Sequence, residues 1–281
     1  MFNIHLAKVY GFCRGVQGVT EKADRLLAEN PDRPVYSIGK LVHNDVVVDS
    51  FSRRGLKVVD APDGNPPGIA LIRAHGIPLS LARSFEEAGF TLVDGTCRLV
   101  KANHDRCASS TRPVLYFGIK GHAESVSTLS HAPGWYRVVE TEEDLEGLDP
   151  QQEYDVIVQT TFSSVQEARL LSLLEEEGIR FNRLNSICSA SNRRRQAVLD
   201  LCGICDTVLV IGERQSANTS ELYRLACSRG VRAFFVGNES AIEDGMLSGH
   251  DVGVCAGASV SPHQVDRIIE VLVEKGGTLK A

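Results

Sequence analysis

Short apolar runs rich in β-branched residues alternate with helical stretches along all 281 residues, and this alternation limits the fold more than any other feature. The runs predict strands at 35–38, 69–73, 91–93, 114–117, 156–159, 207–211, 233–236 and 252–255. Helical spacing of apolar residues predicts helices at 17–29, 46–54, 79–87, 142–148, 164–177, 195–201, 219–229 and 262–275. Strands that alternate with helices argue for parallel βαβ units, whose binding sites lie beyond the carboxyl ends of the strands. The segment Pro62-Asp63-Gly64-Asn65-Pro66-Pro67-Gly68 reads as a loop, and no low-complexity linker divides the chain.

Composition narrows the function. With 43% hydrophobic and 23% charged residues, the chain is that of an ordinary globular protein. Its 36 acidic against 30 basic residues, a formal charge of -6, argue against non-specific nucleic-acid binding, which needs a net basic face. No apolar run approaches the roughly 18 to 20 residues of a membrane span. The amino-terminal residues lack a basic stretch followed by an apolar one, so no secretory signal is read and a cytoplasmic location is expected. In a reducing compartment, eight cysteines do not imply a disulfide scaffold.

Three of the eight share one setting. Cys13 follows the run 5–12, Cys97 follows 90–96 and Cys188 follows 181–187, and each precedes a helical pattern. All three are therefore expected at the end of a strand and the start of a helix. Helix N-termini favour thiolates, the form that soft metals bind. The three lie about 90 residues apart, the size of a small domain. Three similar units, each offering one thiolate near one point, would build a pseudo-threefold site. Such a donor set suits a cubane iron–sulfur cluster with one iron open, or a zinc site with a free position. Cys202-Gly203-Ile204-Cys205 is a lone C-x-x-C and reads as structural, and Cys107, Cys227 and Cys255 carry no assigned role.

The residues that follow the strands are polar. They include Val42-His43-Asn44, Ala74-His75-Gly76, Gly121-His122-Ala123-Glu124, Thr160-Thr161, Ser216-Ala217-Asn218 and Gly257-Ala258-Ser259. Alone, each is an ordinary hydrogen-bonding histidine or helix cap. Six such loops beside three thiolates suit a small phosphorylated substrate, since backbone N–H groups and helix N-termini cradle anions. No P-loop or convincing G-x-G-x-x-G supports nucleotide binding.

With these motifs in this order, the chain resembles the 4-hydroxy-3-methylbut-2-enyl diphosphate reductase family over nearly its whole length. The resemblance is carried by Gly11-Phe12-Cys13-Arg14-Gly15-Val16, Asp94-Gly95-Thr96-Cys97, Gln159-Thr160-Thr161, Ile187-Cys188-Ser189-Ala190 and the loops just quoted. It implies three similar parallel-sheet α/β domains in a pseudo-threefold trefoil around a central 4Fe-4S cluster. Their expected bounds are 14–96, 97–187, and 188–281 together with 1–13. It further implies that Cys13, Cys97 and Cys188 hold three irons, the fourth staying open to the substrate's hydroxyl oxygen. His43, His75, His122, Ser216, Asn218 and Ser259 match the family's diphosphate-binding positions. Glu124 matches its proton-delivering carboxylate, in a loop with His122, and Thr160 a hydroxyl near the reacting carbon.

The implied reaction is reductive dehydroxylation of an allylic diphosphate, with a ferredoxin or flavodoxin as electron donor and closure of the three-domain build around the substrate. Two other readings stay open: a paralogue acting on another phosphorylated or anionic substrate, and a non-enzymatic cluster-based sensor. Departures fall at substrate recognition. Arg98 stands where the family usually has proline, Ala217 replaces a serine, Ser191 a threonine and Arg195 a glutamine. The segment after Glu124 reads Ser125-Val126-Ser127-Thr128 instead of the family's common Val-x-Gly-Thr.

Overall fold

The computed structural model describes residues 1–280. In chain order its elements are β1 (Phe2–Leu6), α1 (Arg14–Glu29), β2 (Val35–Ile38), α2 (Asp45–Arg53), β3 (Leu56–Val59), β4 (Ile69–Ile72), α3 (Leu79–Glu87) and β5 (Thr91–Asp94). There follow α4 (Arg98–Ser109), β6 (Val114–Phe117), α5 (Ala123–Leu129), β7 (Tyr136–Val139), β8 (Glu153–Val158), α6 (Ser164–Glu176) and β9 (Arg180–Arg183). The remainder are α7 (Ser189–Cys202), β10 (Thr207–Ile211), α8 (Ala217–Ser228), β11 (Arg232–Val236), β12 (Asp251–Ala256), α9 (Pro262–Glu274) and β13 (Gly277–Leu279).

Every strand pairing is parallel, in three sheets ordered β11-β10-β12-β1-β13, β3-β2-β4-β5 and β7-β6-β8-β9. The fold class is thus parallel α/β with three sheets. In the two four-stranded sheets the first strand lies second in order, its successor on the outer edge, and the chain then crosses to the other side; β10, β11 and β12 repeat that plan in the five-stranded sheet, where β1 and β13 complete the far side. The order reverses between β10 and β12, between β2 and β4, and between β6 and β8. Such reversal points are where open parallel sheets bind ligands. In the chain, these six strands are the ones followed by Ser216, Ser259, His43, His75, His122 and Thr160. The fourth strand of each sheet leads instead to a cysteine: β1 to Cys13, β5 to Cys97 and β9 to Cys188.

The chain forms two compact units, Met1–Gln17 with Val42–Phe51 and Ser189–Ala281, and Gly18–Leu41 with Ser52–Cys188. The first contains the five-stranded sheet. Side chains alternate across its strands, so Leu209 and Ile211 pack with Ile268 and Leu272 of α9 on one face. Val208 and Val210 pack on the other with Val198 and Leu201 of α7 and Leu222 of α8. Each of these fully covered aliphatic chains contributes about 1.5–3 kcal/mol. In the second unit, Leu115 and Phe117 meet Leu170 and Leu174 of α6, while Val114 and Tyr116 face Cys107 of α4 and Leu129 of α5. The other sheet buries Tyr36, Ile38 and Ala70 against Phe85 and Phe90.

Several expectations are corrected. Strands β3, β7 and β13 carry no continuous apolar run because all lie on sheet edges, where one side of the strand remains exposed. The run 5–12 is not one strand: β1 ends at Leu6, and Gly11 at φ 75 turns the chain before Cys13. The run 181–187 likewise gives way to a loop after Arg183. Cys13 and Cys188 therefore sit beside helix starts but not directly on strand ends. Helix α7 begins at Ser189, ahead of the expected 195, because its first turns bury Ser191, Arg194 and Arg195 and so lack an apolar stripe. The stretch 142–148 forms only a 3-10 segment, Glu142–Leu145, with Gly147 at φ 71 beyond it.

Candidate active site

Position in the chain, more than burial, sets three of the cysteines apart. Cys13, Cys97 and Cys188 are half-buried and in no disulfide, each the residue immediately before a helix. The Val16 amide donates to Cys13 Sγ at 3.5 Å. Burial instead pushes the Cys107 thiol up to about 11 and the Cys205 thiol up to about 12, and raises Cys255 further. These three stay protonated at neutral pH, in keeping with a structural role. Of the remaining two, Cys202 is half-buried and Cys227 exposed.

The unit of Gly18–Leu41 and Ser52–Cys188 brings together six of the sequence-derived residues. Thr160, just past β8, donates its amide to Glu124 Oε1 at 2.7 Å, and its hydroxyl lies 2.7 Å from Glu124 Oε2. The Cys188 amide donates to the Thr160 carbonyl at 3.0 Å. Glu124 lies in the first turn of α5, and its amide donates to Nδ1 of the capping His122 at 3.2 Å. That nitrogen accepts, so it carries no proton. The His122 ring meets His75 edge-on, with centroids 5.4 Å apart. The residue before His75, Ala74, accepts the Cys97 amide at 2.9 Å. A continuous path of contacts and adjacent residues thus runs from Cys188 through Thr160, Glu124, His122 and His75 to Cys97.

Glu124 is the electrostatic centre of this path. Its side chain is 1% exposed, and burial lifts its carboxyl to about 7 despite the opposing hydrogen bonds from Thr160. A carboxyl group near neutrality can hold a proton at working pH and release it without a large penalty, as general acid catalysis requires.

The other unit holds a set of donors and acceptors. Ser216 caps α8, its hydroxyl accepting from the Thr219 amide at 3.4 Å. Asn218 Oδ1 accepts from the Ala258 amide at 2.9 Å, and the Ala258 carbonyl accepts from the Cys13 amide at 3.1 Å. Ser259 donates to the His43 carbonyl at 3.0 Å. The structure therefore brings Cys13, Asn218, Ser259 and His43 into one hydrogen-bonded frame. Gly257 permits it: a Cβ there would lie 2.0 Å from Thr219 Oγ1.

Of the departures, Arg98 opens α4 with an exposed side chain, whereas Arg195 is buried and paired with Glu221 of α8. Ala217 is half-buried at the start of α8. Sequence reasoning missed supporting residues that lie beside the named ones. Gln159 Oε1 accepts from the Ile119 amide at 2.9 Å, and Asn44 donates to Gln264 at 2.8 Å. Ser127 donates to the Ile77 carbonyl at 3.1 Å and lies 3.0 Å from His104 Nε2. Gln159 and Asn44 fall within the quoted motifs, where a buried amide next to a candidate site residue was the available signal.

Polar loops at the reversal point of each sheet, one of them carrying a near-neutral buried acid, define the class: a parallel α/β protein whose candidate site residues cluster at strand ends. Residues 4–273 match the family described as LytB protein, and the chain belongs to that family. It is 33% identical over 276 residues to the 4-hydroxy-3-methylbut-2-enyl diphosphate reductase of Dechloromonas aromatica, covering 95% of this chain and 90% of that one. It is 32% identical over 278 residues to the protein of the same name from Solidesulfovibrio magneticus, covering 95% and 97%. The solved structure of the E-1-hydroxy-2-methyl-but-2-enyl-4-diphosphate reductase from Plasmodium falciparum matches the fold with a TM-score of 0.91 at 24% identity, over 100% of this chain and 92% of that one. A second, of an (E)-4-hydroxy-3-methyl-but-2-enyl diphosphate reductase, matches at 0.71 and 26% identity, over 98% and 100%.

Proposed function

We propose that the protein is an iron–sulfur reductase that converts (E)-4-hydroxy-3-methylbut-2-enyl diphosphate to isopentenyl and dimethylallyl diphosphate, in the non-mevalonate isoprenoid pathway and in the cytoplasm. The observation that carries this reading is the buried Glu124 carboxyl, raised to about 7 and held by both donors of Thr160, in a chain of the LytB family. Hydroxide is a poor leaving group, and breaking an allylic C–O bond calls for an acid poised in this way. The balance is two electrons and two protons per substrate: the C–O bond breaks, one proton leaves with the oxygen as water, and the other forms the new C–H bond.

Cys13, Cys97 and Cys188 are the ligands this reading assigns to a 4Fe-4S cluster with one open iron. The donor set fits, because these are the three half-buried thiols, none in a disulfide, that stand at helix starts. When bound, the cluster supplies the electrons, delivered by a ferredoxin or flavodoxin, and an iron that polarises the hydroxyl oxygen.

The chain's own residues do the rest. Glu124 holds the proton for the hydroxyl, and Thr160 fixes both carboxyl oxygens so that the acid points one way. His43, His75, His122, Ser216, Asn218 and Ser259 bind the diphosphate and orient the substrate. The same reading keeps three domains, 14–96, 97–187, and 188–281 with 1–13.

The test is direct. Anaerobically purified and reconstituted protein is given reduced methyl viologen and then hydroxymethylbutenyl diphosphate. Substrate-dependent viologen oxidation is expected. Oxidation no faster than background, with the cluster intact, would overturn the reading and favour another anionic substrate.

A further inference from the structure

Next to Glu124 lies a second polar group, the Tyr116 phenol, that the proposed mechanism leaves unused. Tyr116 is 0% exposed on β6, the strand that leads into α5. Its ring packs on the side of the sheet that faces α4 and α5, beside Cys107 and Leu129. A Cβ on Gly118 would lie 2.6 Å from Tyr116 Cε1 and 2.9 Å from Gln159 Oε1, so the phenol end reaches the carboxyl end of the strand, below the start of α5. Glu124 and Thr128 are four residues apart on that helix and so lie on one face. The Tyr116 and Thr128 hydroxyls are both buried and neither meets full hydrogen-bond geometry, although the phenol stands close enough to Glu124 to favour its charged form. The groups that face the phenol are Glu124, Ser125 and Thr128. A buried hydroxyl without a well-formed hydrogen bond is costly, and its persistence needs a reason.

We propose that Tyr116 is a positioning residue for Glu124, a donor held in reserve that hydrogen-bonds the carboxylate once its proton has been delivered. The inference rests on the reading of Glu124 as the acid. No covalent step is involved: Glu124 gives up its proton, and the phenol keeps its own. Burial and the neighbouring carboxyl push the phenol well above its usual range, so it stays a donor. The other titratable groups around the pair are Cys107 from α4, whose thiol burial keeps protonated, His122 at the cap of α5, and His75 facing His122 from the loop after β4.

A donor to the charged form lowers the pH at which Glu124 ionises, so its loss must raise that pH. The carboxyl band of Glu124, identified by its disappearance in Glu124→Gln, is followed by infrared difference spectroscopy against pH in the holoprotein without substrate. Tyr116→Phe is expected to move the titration up by about one pH unit. It should also lower kcat and carry the alkaline limb of the rate profile upward, with KM unchanged. Incorporating 3-fluorotyrosine at position 116, a stronger donor of nearly the same size, should move the titration down, which keeps the test open if the phenylalanine variant folds poorly. An unchanged or reversed shift in either protein overturns the proposal. Because the titration needs no turnover, shifts of the expected sign in a protein that fails to reduce the diphosphate would defeat the proposed function and leave this inference standing.

Discussion

The two compact units are organised around different physics. In the unit of Gly18–Leu41 and Ser52–Cys188, the candidate residues converge on one buried ionisable group, Glu124, whose carboxyl is displaced to about 7 by loss of water. In the unit of Met1–Gln17, Val42–Phe51 and Ser189–Ala281, the candidate residues Ser216, Asn218 and Ser259 are amides and hydroxyls, fixed by hydrogen bonds to the backbone. Neutral donors bind an anion equally well over a wide pH range, whereas a displaced carboxyl works only near its own titration. On the proposed function, the difference predicts that acid and neutral anchors separate on mutation: substitution of Glu124 should change kcat, and substitution of Ser216, Asn218 or Ser259 should change KM.

The sharpest break comes first. Cys97→Ser or Cys188→Ser should abolish both turnover and the iron content of reconstituted protein, while Cys205→Ala should leave the iron in place, as metal analysis will show. Next in size is Glu124→Gln, expected to lower kcat by about 10²–10⁴-fold while diphosphate binding measured by calorimetry stays within a few-fold. Asn218→Ala should do the reverse, raising KM by about tenfold or more, at about 1.5–3 kcal/mol for a donor to a charged group, with kcat little changed. A rise in KM for Glu124→Gln as large as that for Asn218→Ala would erase the distinction between the units. The smallest expected effect is Ala217→Ser, which adds a hydroxyl beside Ser216. Steady-state kinetics should show KM falling several-fold if that position faces the diphosphate.

Much of this arrangement is legible in the sequence, and the limits have physical causes. The strands flanking each reversal point are buried on both faces, so β2, β6 and β10 are found at their observed bounds from apolar runs alone. Edge strands such as Leu56–Val59 and Tyr136–Val139 are half-exposed and mixed, and periodicity passes over them. Helix α5 is missed for a related reason. Its sequence, Ala-Glu-Ser-Val-Ser-Thr-Leu, buries polar residues against the sheet and has no apolar stripe to detect. Glu124, Thr160 and His122 are quoted from chain order, yet the Glu124–Thr160 hydrogen bonds join residues 36 positions apart in the chain and are visible only in three dimensions. Tyr116 shows the same limit. In the sequence it is one aromatic in a strand; only its packing reveals a hydroxyl aimed at the acid.

The central claim, that one buried acid governs turnover, is tested most directly by the pH dependence of kcat for viologen oxidation with saturating diphosphate. Burial raises Glu124 to about 7, and the acid must be protonated to act, so the rate should be full below that pH and fall as pH rises through it. The falling limb should vanish in Glu124→Gln, leaving only a low, flat residual rate. A wild-type profile that stays level well above pH 7, or a Glu124→Gln protein that keeps the same limb, would contradict the account.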